Sequence, residues 1–138
     1  MTDLERAKQL LLENEYSCVL VKEDSVICGE ARGIRALLVL IAARPELEGY
    51  SAADRIVGKA AALMYKKAGV STVWAQVMSR PGRDVLEESG IGASFGKLTD
   101  MIANRAGDGC CPMEETVAAI DDPQEAYEAL CKKTGVEI

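Results

Sequence analysis

The chain has 138 residues and a net charge of −6. That length suits one domain with a real core and is too short for two ordinary ones, so residues 1–138 are read as a single domain. The acidic balance argues against nucleic acid as a partner, because phosphate binding needs a cationic footprint, although a local basic patch could still hold a small anion. No histidine occurs, which excludes Ser-His-Asp and Cys-His hydrolases in their usual form and zinc sites built on imidazole.

Residues 3–14 place Leu4, Ala7, Leu10 and Leu11 at helical spacing, which predicts an amphipathic first helix. Because this opening is acidic and not a basic stretch followed by an apolar run, no secretory leader is expected. Residues 16–22 and 25–28 read as two strands joined at Glu23-Asp24, a hairpin. Residues 34–43 are apolar on nearly every side and predict a buried helix stopped at Pro45. The apolar run 36–43 within it is far too short to span a bilayer. A long helix is expected to start at Ser51 or Asp54 and run to Lys67, closed by Gly69. Residues 71–78 predict a central strand, with a turn at Pro81-Gly82, a short helix over 83–88 and a strand over 91–95. Residues 97–104 look helical and 105–109 form a loop, before closing helices over 112–120 and 123–132 that each begin at proline. The order predicts an α/β layered domain with a mixed sheet covered by helices. The expected location is the cytoplasm, with no membrane contact. The five cysteines contain no CxxC pair and are read as free thiols of a reducing compartment.

Candidate sites follow from residue type and position. The run GIGASFGKLT is not a phosphate loop, since its glycine spacing is wrong and Leu98 follows Lys97. Lys59, after Gly58, could present a cation near a helix start, or share a solvated stripe with Arg55 and Lys66. Ser79, Arg80 and Arg83 lie where the central strand passes into a helix, a place suited to a carboxylate or phosphate, or simply an ordinary turn with solvated arginines. Gln76 is either a pocket amide or an edge polar residue. In the segment GDGCCPMEE, Cys111 falls at a helix N-cap, Pro112 at the first helical position and Glu114 in the first turn. A helix N-terminus lowers a thiol pKa, but Asp108, Glu114 and Glu115 oppose it, so no strongly activated thiolate is expected. Cys110, Cys111 and Glu114 therefore stand as pocket-lining candidates. A zinc site that recruits Cys18, Cys28 or Cys131 lacks the required ligand spacing.

The hairpin, GIRALLVLIAAR, DRIVGKAAALMYKKAGV with STVWAQVMS, and CPMEE together resemble a small bacterial family of unknown function assigned the cytidine-deaminase-like fold. The resemblance spans residues 15–130 and is most specific at DRIVGKAAA and CPME. It implies a three-layer α/β/α domain. Zinc deaminases of that fold carry His/Cys-x-Glu at one helix start and Pro-Cys-x-x-Cys at the next. Here those places correspond to Val57-Gly58-Lys59 and to residues 79–83, which supply neither the ligands nor the glutamate. The resemblance thus implies a deaminase-like scaffold without zinc chemistry and with no cofactor.

Two functional expectations result. The first is binding of a small anionic or nucleotide-like ligand by Lys59, Ser79, Arg80 and Arg83, with Gln76, Cys110, Cys111 and Glu114 as wall. The second is a metal-free enzyme with Cys110 or Cys111 as nucleophile and Lys59 or Glu114 as acid–base partner. The sequence is also compatible with a homodimer.

Overall fold

The β-branched and apolar runs within residues 18–29 pair with each other, and three further strand pairings join them to residues 51–57, 72–79 and 92–99 in one sheet. The computed structural model describes all residues except 32, 44, 45, 105, 108, 137 and 138. Strands β1 (Cys18–Lys22) and β2 (Ser25–Gly29) form the expected hairpin, with Glu23 at a φ of 54° in its turn. β1 also pairs antiparallel with β3 (Ser51–Val57). β3, β4 (Thr72–Ser79) and β5 (Gly92–Thr99) run parallel, which gives a mixed sheet of order β2-β1-β3-β4-β5.

Helix α1 (Asp3–Glu13) starts at a capping box between Thr2 and Glu5. Its Ala7 and Leu11 pack on Val19, Val21, Ala53 and Trp74 of one sheet face. The other face carries α2 (Ile34–Ala43), α3 (Lys59–Ala68) and α4 (Arg80–Glu88), with α5 (Pro112–Val117) and α6 (Pro123–Thr134) packed on α3. The result is a three-layer α/β/α domain. Two parallel crossovers through α3 and α4 step in the same direction along the sheet, so right-handed connections put both helices on one face. Among the described residues no helix is long and apolar enough to cross a membrane.

Two expectations are corrected. The long helix expected from Ser51 or Asp54 is in fact strand β3, the Gly58 turn and then α3. Its sequence, SAADRIV, lacks the β-branched density that marks a strand, but Ala52 and Ala53 are fully buried between layers, where small side chains let helices approach. Arg55 accordingly shares no helical stripe with Lys59 and Lys66. The helix expected over 97–104 is also absent: residues 97–99 continue β5 beside β4, and Ala103 forms an isolated bridge with Cys110. Leu98, Met101 and Ile102 imitate helical spacing, and long-range parallel pairing overrides it.

Glycine is required where α4 meets the β3–α3 turn. A Cβ on Gly82 would lie 2.9 Å from the carbonyl oxygens of Val57 and Gly58, backbone atoms with no freedom to move aside. Gly82→Ala is therefore expected to cost about 1–3 kcal/mol, the usual range for overpacking. Urea unfolding of the variant beside the parent checks this, and an unchanged midpoint would contradict the close approach.

Candidate functional site

The turn from β3 into α3 ends in a glycine with no capping side chain of its own. Its free N–H groups are met from far along the chain. One carboxylate oxygen of Glu114 accepts from the N–H of Lys59 at 2.7 Å and the other from Ala60 at 2.8 Å. A carboxylate on a helix N-terminus is favoured both by these charge-assisted bonds and by the helix dipole. Gly58 makes the contact possible: a Cβ there would fall 2.1 Å from Glu114 Oε1 and 2.8 Å from Ile102 Cγ1. Cys111 is indeed the N-cap of α5, without a side-chain bond, but Glu114 serves α3 as well as sitting in the first turn of α5.

The other expected site residues are dispersed around this contact. Lys59 Nζ turns to the carbonyl of Ala118 at 3.1 Å and to Asp121 at 3.0 Å. Lys59, Cys110 and Glu114 line a cavity of about 310 Å³ together with Pro81, Met101 and Ile102. Ser79 is fully buried, and its hydroxyl caps α4 by accepting from the Gly82 N–H at 3.1 Å. Arg80 is exposed and bonds Asp100 at 2.8 Å. Arg83 lies 3.4 Å from both Asp84 and Glu87. Gln76 sits apart on the α1 side of the sheet, where its amide oxygen accepts from Arg55 at 3.1 Å. The Arg55 guanidinium also bonds the carbonyls of Leu11, Asn14 and Tyr16, so it fastens α1 to the sheet. Burial pushes the Cys110 thiol up, and Glu114 and Glu115 push it further in the same direction.

A second cluster was not anticipated. Asp54 faces α3 from β3 and accepts the hydroxyl hydrogen of Tyr65 at 2.6 Å. Burial pushes its carboxyl up to about 7, against the lowering effect of the Tyr65 bond. Burial also raises Tyr65 and the adjoining Cys18, each reinforced by the negative charge of Asp54. Asp54 lines a cavity of about 280 Å³ with Tyr16, Ser17, Ile34 and Ile56 among its walls. That cavity shares Gly33, Ile34 and Ile56 with a larger one of about 650 Å³, which extends to Ile102, Cys111 and Met113. An acidic residue inside the small, apolar run SAADRIV was the available signal, once the run is placed in a strand with Ala52 and Asp54 on one face.

Zinc does not fit the places where the deaminase motifs correspond. Gly58 offers no side chain, Lys59 is paired, and the Ser79 hydroxyl caps α4. Among the described residues no group of three or more His, Cys, Asp or Glu side chains comes together to hold a metal ion.

The fold and the site define a mixed-sheet α/β domain with a crevice at the carboxyl end of β3, one helix N-terminus of which is filled by the chain's own carboxylate. Residues 6–134 match the family described as Domain of unknown function (DUF1893), and the chain belongs to that family. It is similar to the crystal structure of a DUF1893 family protein from Thermotoga maritima, with 26% identity and a TM-score of 0.87 over 96% of this chain and 91% of that one. It also has a weak likeness to the apo dCMP deaminase of cyanophage S-TIM5, with 18% identity and a TM-score of 0.46 over 67% of this chain and 90% of that one. No curated protein matches the chain.

Two measurements check the site. Glu114→Ala strands two backbone N–H groups and should cost about 1.5–3 kcal/mol, the range for hydrogen bonds to a charged group, with a smaller loss for Glu114→Gln. Since Gly58→Ala displaces the same carboxylate, Gly58→Ala with Glu114→Ala should lose less than the sum of the single changes in chemical unfolding. Additive losses would mean that the two residues do not meet. Asp54 governs a pH dependence. Folded, its carboxyl keeps a proton up to about 7, whereas an ordinary one releases it near 3.8. Between those values the folded state binds more protons than the unfolded chain, so this group makes stability fall as pH rises from about 4 to 7 and level off above. Asp54→Asn should flatten that slope, as read from unfolding midpoints across the range.

Proposed function

We propose that this protein binds a small organic molecule in the crevice at the carboxyl end of β3. The observation that carries this reading is the 650 Å³ cavity, walled by Ile34, Ile56, Ile102 and Met113, with Arg35, Asn104, Cys111 and Thr134 at its polar positions. Ligand sites typically measure about 300–1,000 Å³ and combine apolar walls with a few polar groups, and in parallel sheets they lie beyond the carboxyl ends of strands.

An anionic or nucleotide-like ligand has weaker support than an amphipathic one. The helix N-terminus that would hold an anion is satisfied by Glu114, and Lys59 is paired with Asp121. The enzyme reading built on Cys110 or Cys111 with Lys59 or Glu114 is weaker too, because the Cys110 thiol is pushed up and both Glu114 oxygens are engaged. In this reading the five cysteines are free thiols of a cytoplasmic protein.

Native mass spectrometry of the freshly purified protein tests the proposal. The expected spectrum contains a species heavier than the chain by one small organic molecule, and Ile56→Trp, which fills the crevice, should abolish it. A bare chain that also shows no side-chain methyl shifts with hexanol would overturn the reading.

A further inference from the structure

Asp54 is a carboxyl in a cavity with a hydroxyl donor and, among the described residues, no ion-pair partner. The groups around it are few. Tyr65 on α3 donates to one oxygen, and Ile56 N–H makes a long 3.4 Å contact with the other. Cys18 faces it from β1, as a thiol that burial and Asp54 itself keep protonated. Glu15 and Tyr16 line the same 280 Å³ cavity from the segment before β1. Arg55, the next residue, also lines this cavity, and its backbone N–H and its charge both favour the carboxylate. Burial outweighs them, and the Arg55 guanidinium bonds three carbonyls and Gln76 on the opposite face of the sheet. From α2, Arg35 reaches only the larger cavity and bonds the carbonyl of Thr134 at 2.7 Å. Among the described residues no lysine or arginine forms an ion pair with Asp54. The small cavity thus presents the carboxyls of Asp54 and Glu15 beside Arg55, whose guanidinium is engaged elsewhere, and it shares Gly33, Ile34 and Ile56 with a mainly apolar chamber that Arg35 and Asn104 also line.

We propose that the 280 Å³ cavity receives the ammonium head of a small amphipathic amine, bonded to the carboxylate of Asp54, while the apolar body of that amine occupies the 650 Å³ chamber. This rests on the ligand-binding reading above and names the chemical class of its ligand. The pairing gives Asp54 a direct ion-pair partner: an N–H donor replaces the proton of Asp54, which passes to solvent, and no bond other than that O–H is broken. Because burial holds the carboxyl near 7, binding of an ammonium ion carries a proton-release cost below that value. Affinity should therefore rise about tenfold from pH 6 to pH 8, well below the range where an alkylamine itself deprotonates.

The test is an NMR titration of the full chain with hexylamine, hexanol and hexanoate at pH 6 and pH 8. The expected result is that hexylamine binds at least about tenfold more tightly than hexanol at pH 8, that hexanoate is weakest, and that only the amine shows the tenfold pH effect. In Asp54→Asn, which keeps an acceptor for Tyr65, hexylamine should bind no better than hexanol at either pH. The pH profile of the parent protein decides the matter even if that variant folds poorly. Equal binding of hexylamine and hexanol would overturn the amine assignment and leave the ligand chamber standing. Failure of all three probes would overturn the ligand-binding reading with it.

Discussion

The Glu114 carboxylate on the first turn of α3 is the contact on which the site's architecture depends. Two short bonds, at 2.7 and 2.8 Å, join a residue near the end of the chain to a helix start 54 and 55 residues earlier. They tie the irregular segment after β5 to the carboxyl end of β3, and the cavities lie on either side of that tie. Each surrounding choice of residue follows from it. Gly58 leaves the space that the carboxylate occupies, and Gly82 lets the first turn of α4 come against the same peptide. The strength of the contact comes from geometry: two donors, one charge and a helix dipole point to the same place, with little solvent to screen them.

The chain's two most informative carboxylates meet opposite fates. Glu114 is satisfied by two backbone donors, so the helix start it covers has little left to offer a foreign anion. Asp54 is held by the Tyr65 hydroxyl and by backbone N–H groups of Arg55 and Ile56, but burial outweighs these bonds and the Arg55 charge and leaves its pKa raised, with no ion pair among the described residues. A half-buried acid with a raised pKa costs stability when it ionises, and natural sequences tolerate such costs mainly where a site uses them. In the binding reading we propose, the focus lies away from the basic residues 59, 80 and 83, on the β1–β3–α2 side of the crevice.

Much of the fold was readable from local pattern. The hairpin, the apolar α2, strand β4 and the two proline-led closing helices all carry their signals within a few residues, and Cys111 was correctly placed as an N-cap. What escaped were features decided by distant partners. Residues 97–99 join β5 only because β4 is beside them, and Gln76 leaves the candidate site because Arg55 holds it on the α1 face. Nor does any local rule announce that Glu114 will cap a helix other than its own. The site residues Lys59, Cys110 and Glu114 do come together around one cavity, whereas Ser79 serves as a cap and the arginines pair with their neighbours.

The strand that the pattern misread and the residue that it overlooked have one cause. β3 lies between β1 and β4 and between α1 and the helices of the other face, so its inward positions must be small: Ala52 and Ala53 are fully buried. Small residues there remove the β-branched signature and make SAADRIV look like the start of a helix. The same close approach brings Tyr65 of α3, itself flanked by buried alanines 60–62 and 68, down onto the sheet at Asp54. A bulkier strand would have been easier to recognise, and it would have held α3 too far away for the tyrosine to reach the carboxyl. The weak strand signal and the half-buried acid are therefore two consequences of packing a helix tightly over the centre of the sheet.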